Sequence, residues 1–449
     1  MVHPHALTVT GIAPDSPPNS AAMSLPELIE IVPLPAPVRA EITVPGSKSL
    51  TNRALVLAAL AEGQTVLSGA LWSEDTRLMV EGLRQIGFAV ETAPERGDSS
   101  NRTLTVHGLG SRVPTGGTLE SPRELFVGNA GTVARFLTAL LCLGHGVYRL
   151  AGTRRMHERP QEALFDALRE LGYCLDSVNN RLPVLIHGGG PRPGTCCVSV
   201  GESSQFASAL ILAAQAGGWR VCVVGEDQDE SPYVSMTSQL VRRFPRHGGD
   251  FVIEPDASSG SYFWAVGALP FGSANLKSQI KVLGWPDSGW QIDARFPEFL
   301  PLPETLSRQR DLGDSIMTAV VLAPFADRPV TFTDLGRLRV QECERVQALR
   351  TELTRCGANV VEQGDTLAIT PSALHGAEIE TYHDHRMAMC FAVVGLRVPG
   401  IKIKDPACVK KTFPDFFQKL AAPPPRGLGA TILDGHSRQP LPFERLAAG

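Results

Sequence analysis

The 449-residue chain contains no unbroken apolar run near the roughly 20 residues that a membrane-crossing helix needs. Its opening, MVHPHALTVTGIAPDSPPNS, lacks the basic-then-apolar layout of a secretory signal, so residues 1–36 read as a flexible leader with Met23 as an alternative start. Neither sign of charge dominates. With 42 Lys and Arg against 46 Asp and Glu, neither nucleic acid nor a membrane is the expected partner. Nine cysteines occur without CxxC spacing, and adjacent Cys196 and Cys197 have no further donors nearby. No metal is therefore expected, and reduced thiols in a cytoplasmic protein are the simpler account. HExxH, GxxxxGKS and the dinucleotide glycine fingerprint are missing in usable context, and HGGG at His187 is followed by no GxSxG turn. Nucleotide and metal cofactors are unsupported, a serine hydrolase is excluded, and no cofactor is expected.

What is present is a rhythm of two kinds of helix. Nearly apolar segments start at Ser49, Gly131, Ser203, Ser258, Asp314 and Asp384, each opened by a residue type suited to N-capping or close packing. Segments with apolar residues at i, i+3, i+4 and i+7 start at Asp75, Arg159, Ser231, Glu342 and Thr412, and short β-like runs follow several of them. A helix apolar on all sides must be buried, whereas an amphipathic one covers a surface. The alternation predicts an α/β protein of two domains with three units each. Two units look trimmed: Arg243 to Glu254 has room for one strand, and Trp285 to Leu312 shows no outer-helix rhythm. The tail at 422–449, with its PPP run, reads as flexible.

Polar residues gather where the buried helices begin, and there backbone N–H groups and the helix dipole favour anions. Lys48, Ser49 and Arg53 open the first; Arg135 lies one turn into the second; Ser203, Ser204 and Gln205 open the third; His385 and Arg386 open the last. Arg159, Arg339, Arg345, Lys410 and Lys411 add cations from the outer-helix group. A lone Arg or Lys at a helix start is usually a surface residue, but forked guanidinium groups collected in one cleft suit phosphates and carboxylates. Asp314 and Glu342 stand among them as acids. Capping explains either one equally well, while a place in the cleft would set their proton affinities for acid and base work.

Eight ordered segments, PGSKSLTNRALVLAALAEG, VGNAGTVARFLTALL, MHERPQEALFDALRELG, SSQFASALILAA, EPDASSGSYF, RVQECERVQALRTEL, TYHDHRMAMCFAVVGL and DPACVKKTFPDFF, resemble the motifs of the 5-enolpyruvylshikimate-3-phosphate (EPSP) synthase family from about residue 40 to 420. The resemblance implies an inside-out α/β barrel of six βαβ-type repeats in two domains. One is residues 37–46 plus 256–421, the other residues 47–255 inserted between the crossovers. It implies transfer of the enolpyruvyl group of phosphoenolpyruvate to the 5-hydroxyl of shikimate-3-phosphate, with phosphate released from a tetrahedral ketal. It places shikimate-3-phosphate on Lys48, Ser49, Arg53, Ser203, Ser204, Gln205, Ser231, Tyr233, Asp314, Arg337 and Gln341. Phosphoenolpyruvate falls to Lys48, Gly131, Arg159, Gln205, Arg345, Arg386 and Lys411, with Asp314, Glu342 and Lys48 as the catalytic groups. Monomer is the expected state, and Gly131 implies sensitivity to glyphosate, with Phe136 standing where such members usually carry Pro. The chain departs from the family pattern at Arg337 and Gln341, where members carry Asn and Lys, and at Glu230, where they carry Ser. Those departures and the trimmed units keep open a non-catalytic relic that binds phosphorylated ligands; within the enzyme class the alternative is a transferase acting on a UDP-sugar, against which PGSKSLTNRAL and DHRMAM favour the shikimate side.

Overall fold

The computed structural model describes residues 24–95, 98–225, 232–272 and 275–448. Two separate hydrophobic cores organise them. One is built from Leu25 to Val44 and from Tyr262 to Ala448, the other from Leu50 to Ile253 with Trp290 added. The chain crosses between the cores twice, and the crossings lie side by side. Ser47 N–H donates to Glu254 O and Asp256 N–H to Pro45 O, each at 2.8 Å. Gly46 sits at this junction because a Cβ there would stand 1.9 Å from the carbonyl oxygen of Gly69.

Each core is centred on three helices that pack against one another. In the second core these are Lys48–Leu60, Gly131–Cys142 and Ser204–Gly217; in the first, Ala257–Ala268, Ile316–Leu322 and His385–Gly395. Gly131–Cys142 and His385–Gly395 are buried at every residue, as helices without a polar face must be. Amphipathic helices cover them; in Glu74–Ile86, for example, Met79, Val80, Leu83 and Ile86 face inward while Glu81 and Arg84 face water. Six sheets complete the described residues, four of them four-stranded and two two-stranded. The two small sheets pair Gly194–Ser199 with Trp219–Val224 and Arg39–Ile42 with Gln279–Val282, all parallel.

Three expectations need correction. Residues 24–36 and 422–448 are not flexible: Leu28–Ile31 pairs antiparallel with Ile401–Lys404 on one side and Ile432–Asp434 on the other. All four residues of LIEI are buried, so the strand gains both a ladder and a place in the core. Residues 1–23 of the expected leader lie outside the described residues. Arg159 opens no helix. It separates Arg154–Glu158 from Glu162–Glu170, because Pro160 directly after it disfavours helical backbone. Glu342 likewise precedes the helix Arg345–Arg355 by three residues. In the Trp285–Leu312 segment, where no outer helix was legible, the chain forms the 3-10 run Ile292–Phe299 and a short strand, Thr305–Ser307.

Candidate active site

The cleft between the cores is walled by both. Lys48, Ser49, Arg53, Arg159, Ser203, Ser204, Gln205 and Tyr233 line one side, and Asp314, Arg337, Gln341, Glu342, Arg345 and Arg386 the other. Gly131 and Lys411 stand directly behind this lining, and Ser231 lies outside the described residues. Helix starts deliver much of the set: Lys48 is the first residue of its helix, Ser203 caps the next by accepting from Gln205 N–H at 3.2 Å, and Asp384 accepts from Arg386 N–H at 2.9 Å.

At one end Glu342 is surrounded by cations. Its carboxylate lies 2.8 Å from Arg345 Nη2 and 3.4 Å from Lys411 Nζ. Lys48 Nζ is 3.2 Å from Asp75, an acid in the first turn of Glu74–Ile86 that also lies 4.0 Å from Lys411. Burial alone would raise the Glu342 carboxyl, but Arg345, Lys411, Arg159 and Lys48 outweigh it and hold the group well below the usual range. Arg345 is fixed from behind by Asp384 at 2.7 Å and also donates to the Gln341 side chain. Gly131 is tightly approached: a Cβ there would meet Arg135 Nη1 at 2.2 Å and Arg159 Nη2 at 2.7 Å. Arg159 donates to Asn129 O at 3.1 Å, Arg135 to Gln205 Oε1 at 3.1 Å, and the Nε of each arginine is buried without a hydrogen-bond partner. His385 is buried beside this end with neither ring nitrogen bonded; burial, then Lys48 and Arg386, keep it neutral.

At the other end Asp314 is held between Arg308 Nη2 at 3.0 Å and Arg386 Nη2 at 3.1 Å. Burial opposes ionisation there too, and Arg386, Arg308 and Arg345 overcome it, leaving Asp314 far below the ordinary carboxylate value. Arg386 also donates to Ser258 Oγ at 3.1 Å. Behind Asp314, Asp293 accepts from the backbone N–H groups of Gly313 and Ser315 at 2.9 Å and fixes the turn that presents the acid. Burial and the charge of Asp314 push Asp293 up, against the hydrogen bonds of Ser315. Tyr233 is raised well above a phenol's usual value by burial, Asp314 and Asp293, so it stays a neutral donor.

Two groups of candidates behave differently from the rest. Arg53 borders the cleft, but three of its nitrogens already donate, to Thr237 Oγ1 at 2.7 Å, Ser49 O at 2.9 Å and Ser208 Oγ at 3.0 Å. Desolvation lowers it to about 10. Arg339 and Lys410 are outside the cleft, Arg339 in a surface network with Glu344, Glu362 and Asp365 and Lys410 3.9 Å from Glu74. Arg308, Asp293, Asp75 and Asp384 were not anticipated. Asp75 and Asp384 read as ordinary helix-start acids, and each also holds a cleft cation; Arg308 and Asp293 lie in an irregular segment without periodicity. One trio of donors that could hold a metal, Cys174, Asp176 and His187, lies together among the described residues, away from the cleft, with His187 Nε2 already 2.8 Å from Asp176.

The two cores with a cation-lined cleft between them have the fold of solved enolpyruvyl transferases. EPSP synthase from Acinetobacter baumannii superposes with a TM-score of 0.71, covering 91% of this chain and 100% of that one at 22% identity. The enolpyruvyl transferase NikO from Streptomyces tendae superposes with a TM-score of 0.64, covering 93% and 100% at 16% identity. Sequence narrows the class to one family: the family model for EPSP synthase (3-phosphoshikimate 1-carboxyvinyltransferase) matches residues 32–247 and 307–420. Proteins named 3-phosphoshikimate 1-carboxyvinyltransferase from Nostoc punctiforme and Opitutus terrae are 36% and 38% identical, over 88% and 89% of this chain and 98% of each relative. The chain belongs to the EPSP synthase family. No helix among the described residues is long and apolar enough to cross a membrane.

Proposed function

We propose that the protein transfers the enolpyruvyl group of phosphoenolpyruvate to the 5-hydroxyl of shikimate-3-phosphate and releases phosphate. The observation that carries this reading is two part-buried carboxylates in one cleft, each kept ionised by surrounding cations, in a chain of this family. Phosphoenolpyruvate fits the Glu342 end, where Lys48, Arg159, Arg345 and Lys411, with Arg386 reaching from beside Asp314, supply the charge for a phosphate and a carboxylate. Shikimate-3-phosphate fits the Asp314 end, with Ser203 and Ser204 at a helix start for its phosphate, Gln205 and Tyr233 around its ring, and Arg337 in the same wall.

In the first step the ring hydroxyl attacks C2, Asp314 takes the hydroxyl proton with help from Lys48, and Glu342 gives a proton to C3. In the second, Glu342 recovers a proton from C3 as the ketal expels phosphate towards the cations. Glu342 must be protonated to begin, yet the cations around it hold it ionised. Phosphoenolpyruvate resolves this, because its negative charges cancel those of the very cations that depress Glu342, and its arrival raises the carboxyl's proton affinity.

The wider architecture that fits is an inside-out barrel of six repeats in two domains, which close to exclude water. The first domain takes in 24–46 and 256–448, because the strands Leu28–Ile31 and Ile432–Asp434 belong to its sheet. The test is phosphate release with both substrates, beside Lys48→Met and Glu342→Ala. Release that needs both substrates and is lost in both variants is expected; binding of shikimate-3-phosphate without release would leave the relic as the better account.

A further inference from the structure

Arg308 has no part in the reaction as described, although its side chain is only 8% exposed and forms part of the cleft wall. Nη2 is bonded to Asp314, while Nε is buried and has no hydrogen-bond partner. Its charge reaches two neighbours in the lining, opposing ionisation of Arg337 after burial has done so, and favouring the ionised form of Tyr233. Arg337 extends across the cleft to donate to Val200 O at 2.8 Å, three residues before the Ser203 cap of Ser204–Gly217. Among the described residues Arg337 has no carboxylate partner. Of these two neighbouring guanidinium groups only Arg308 has a carboxylate, Asp314, and it divides that one with Arg386, in a part-buried corner that also holds a helix start. Uncompensated positive charge is costly to bury, so this corner is built for an anion.

We propose that Arg308 and Arg337 together seat the phosphate of shikimate-3-phosphate against the start of Ser204–Gly217. Arg308 ties that phosphate to Asp314, so the seated ring presents its hydroxyl to the carboxylate. The assignment rests on the substrate reading above and adds a residue to it.

The experiment is calorimetric binding of shikimate-3-phosphate and of unphosphorylated shikimate to the full chain and to Arg308→Gln, Arg308→Lys and Arg337→Gln. The unaltered protein should prefer the phosphorylated ligand. Each Gln variant should lose about ten- to a hundredfold of that affinity, the scale of a charge-assisted hydrogen bond, while shikimate binding changes by less than about threefold. Arg308→Lys should recover part of the loss. Equal loss for both ligands, or phosphate-dependent binding untouched by Arg308→Gln and Arg337→Gln, overturns the inference and leaves the substrate reading standing. An unaltered protein without preference for the phosphorylated ligand overturns both. Arg337→Gln keeps the test open should Arg308→Gln fail to fold, since Arg337 is the less buried of the two.

Discussion

Glu342 and Asp314 are both part-buried carboxylates kept ionised by cations, but the cations come from different places. The two that touch Asp314, Arg308 and Arg386, belong to the same half of the molecule as the acid. Glu342 draws on both halves: Arg345 and Lys411 from its own side, Lys48 and Arg159 from across the cleft. The proton affinity of Asp314 is therefore set within one rigid unit. That of Glu342 depends on how the halves meet and on the charge that fills the space between them. A base that must always be ready and an acid that must be charged by its substrate call for these two settings.

The largest effects should come from removing either acid. Glu342→Gln and Asp314→Asn should each lower kcat by about 10²–10⁴, as loss of general acid or base catalysis does, with both substrates still binding by calorimetry. Lys48→Met should cost about 10²–10³ in kcat and also separates the two ends. Lys48 lowers Glu342 and is not among the cations that depress Asp314, so its removal should move the Glu342 limb of the rate profile to higher pH and leave the other limb in place. Both limbs moving together would break the comparison.

Gly131→Ala perturbs chiefly the Glu342 end. The new methyl would push on Arg135 Nη1 and Arg159 Nη2, the ends of flexible side chains, so the fold should persist while Arg159 shifts. About a ten- to hundredfold fall in kcat/KM for phosphoenolpyruvate is expected, with little change in KM for shikimate-3-phosphate. A smaller signal tests the charging of Glu342 directly. In Asp314→Asn, which stops turnover, phosphoenolpyruvate binding near pH 6 should take up a fraction of a proton more than in Asp314→Asn/Glu342→Gln. The sign follows from an anion raising a depressed carboxyl: protons are gained on binding, and affinity strengthens as pH falls. Equal uptake in the two variants would mean that Glu342 is not charged by the substrate.

How much of this was legible in the sequence differs by kind of residue. The inner helices announced themselves because a helix without a polar face leaves no other reading, and Lys48, Asp314 and Glu342 stood near helix starts where acids and cations invite notice. Leu28–Ile31 and Ile432–Asp434 did not. Strands of four and three residues carry too little periodicity, and each is stabilised by partners some four hundred residues away in sequence. Arg308 and Asp293 were hidden for a related reason, since the segment that carries them is 3-10 helix and loop. Arg339 shows the opposite error: its position beside Glu342 suggested the cleft, but adjacency along the chain does not say which way a side chain turns.

Arg339 consequently gives the smallest effect and marks where the charged cleft ends. Its nitrogens lie 2.6 Å from Glu344, 2.8 Å from Glu362 and 2.9 Å from Asp365, on a surface open to water. Exposed pairs of this sort contribute about 0.2–1 kcal/mol each, and salt screens them. Arg339→Ala should lower stability by about 1 kcal/mol in low salt, less in high salt, and leave kcat and both KM values within about twofold. Arg339 stands two positions from Arg337 and Gln341 and three from Glu342 along the chain, so the variant asks whether charge near Glu342 matters for its sign or for its side of the chain. Turnover falling as far as in Lys48→Met would mean that the field at Glu342 reaches through to the surface, and that its dependence on the opposite half is weaker than the geometry states.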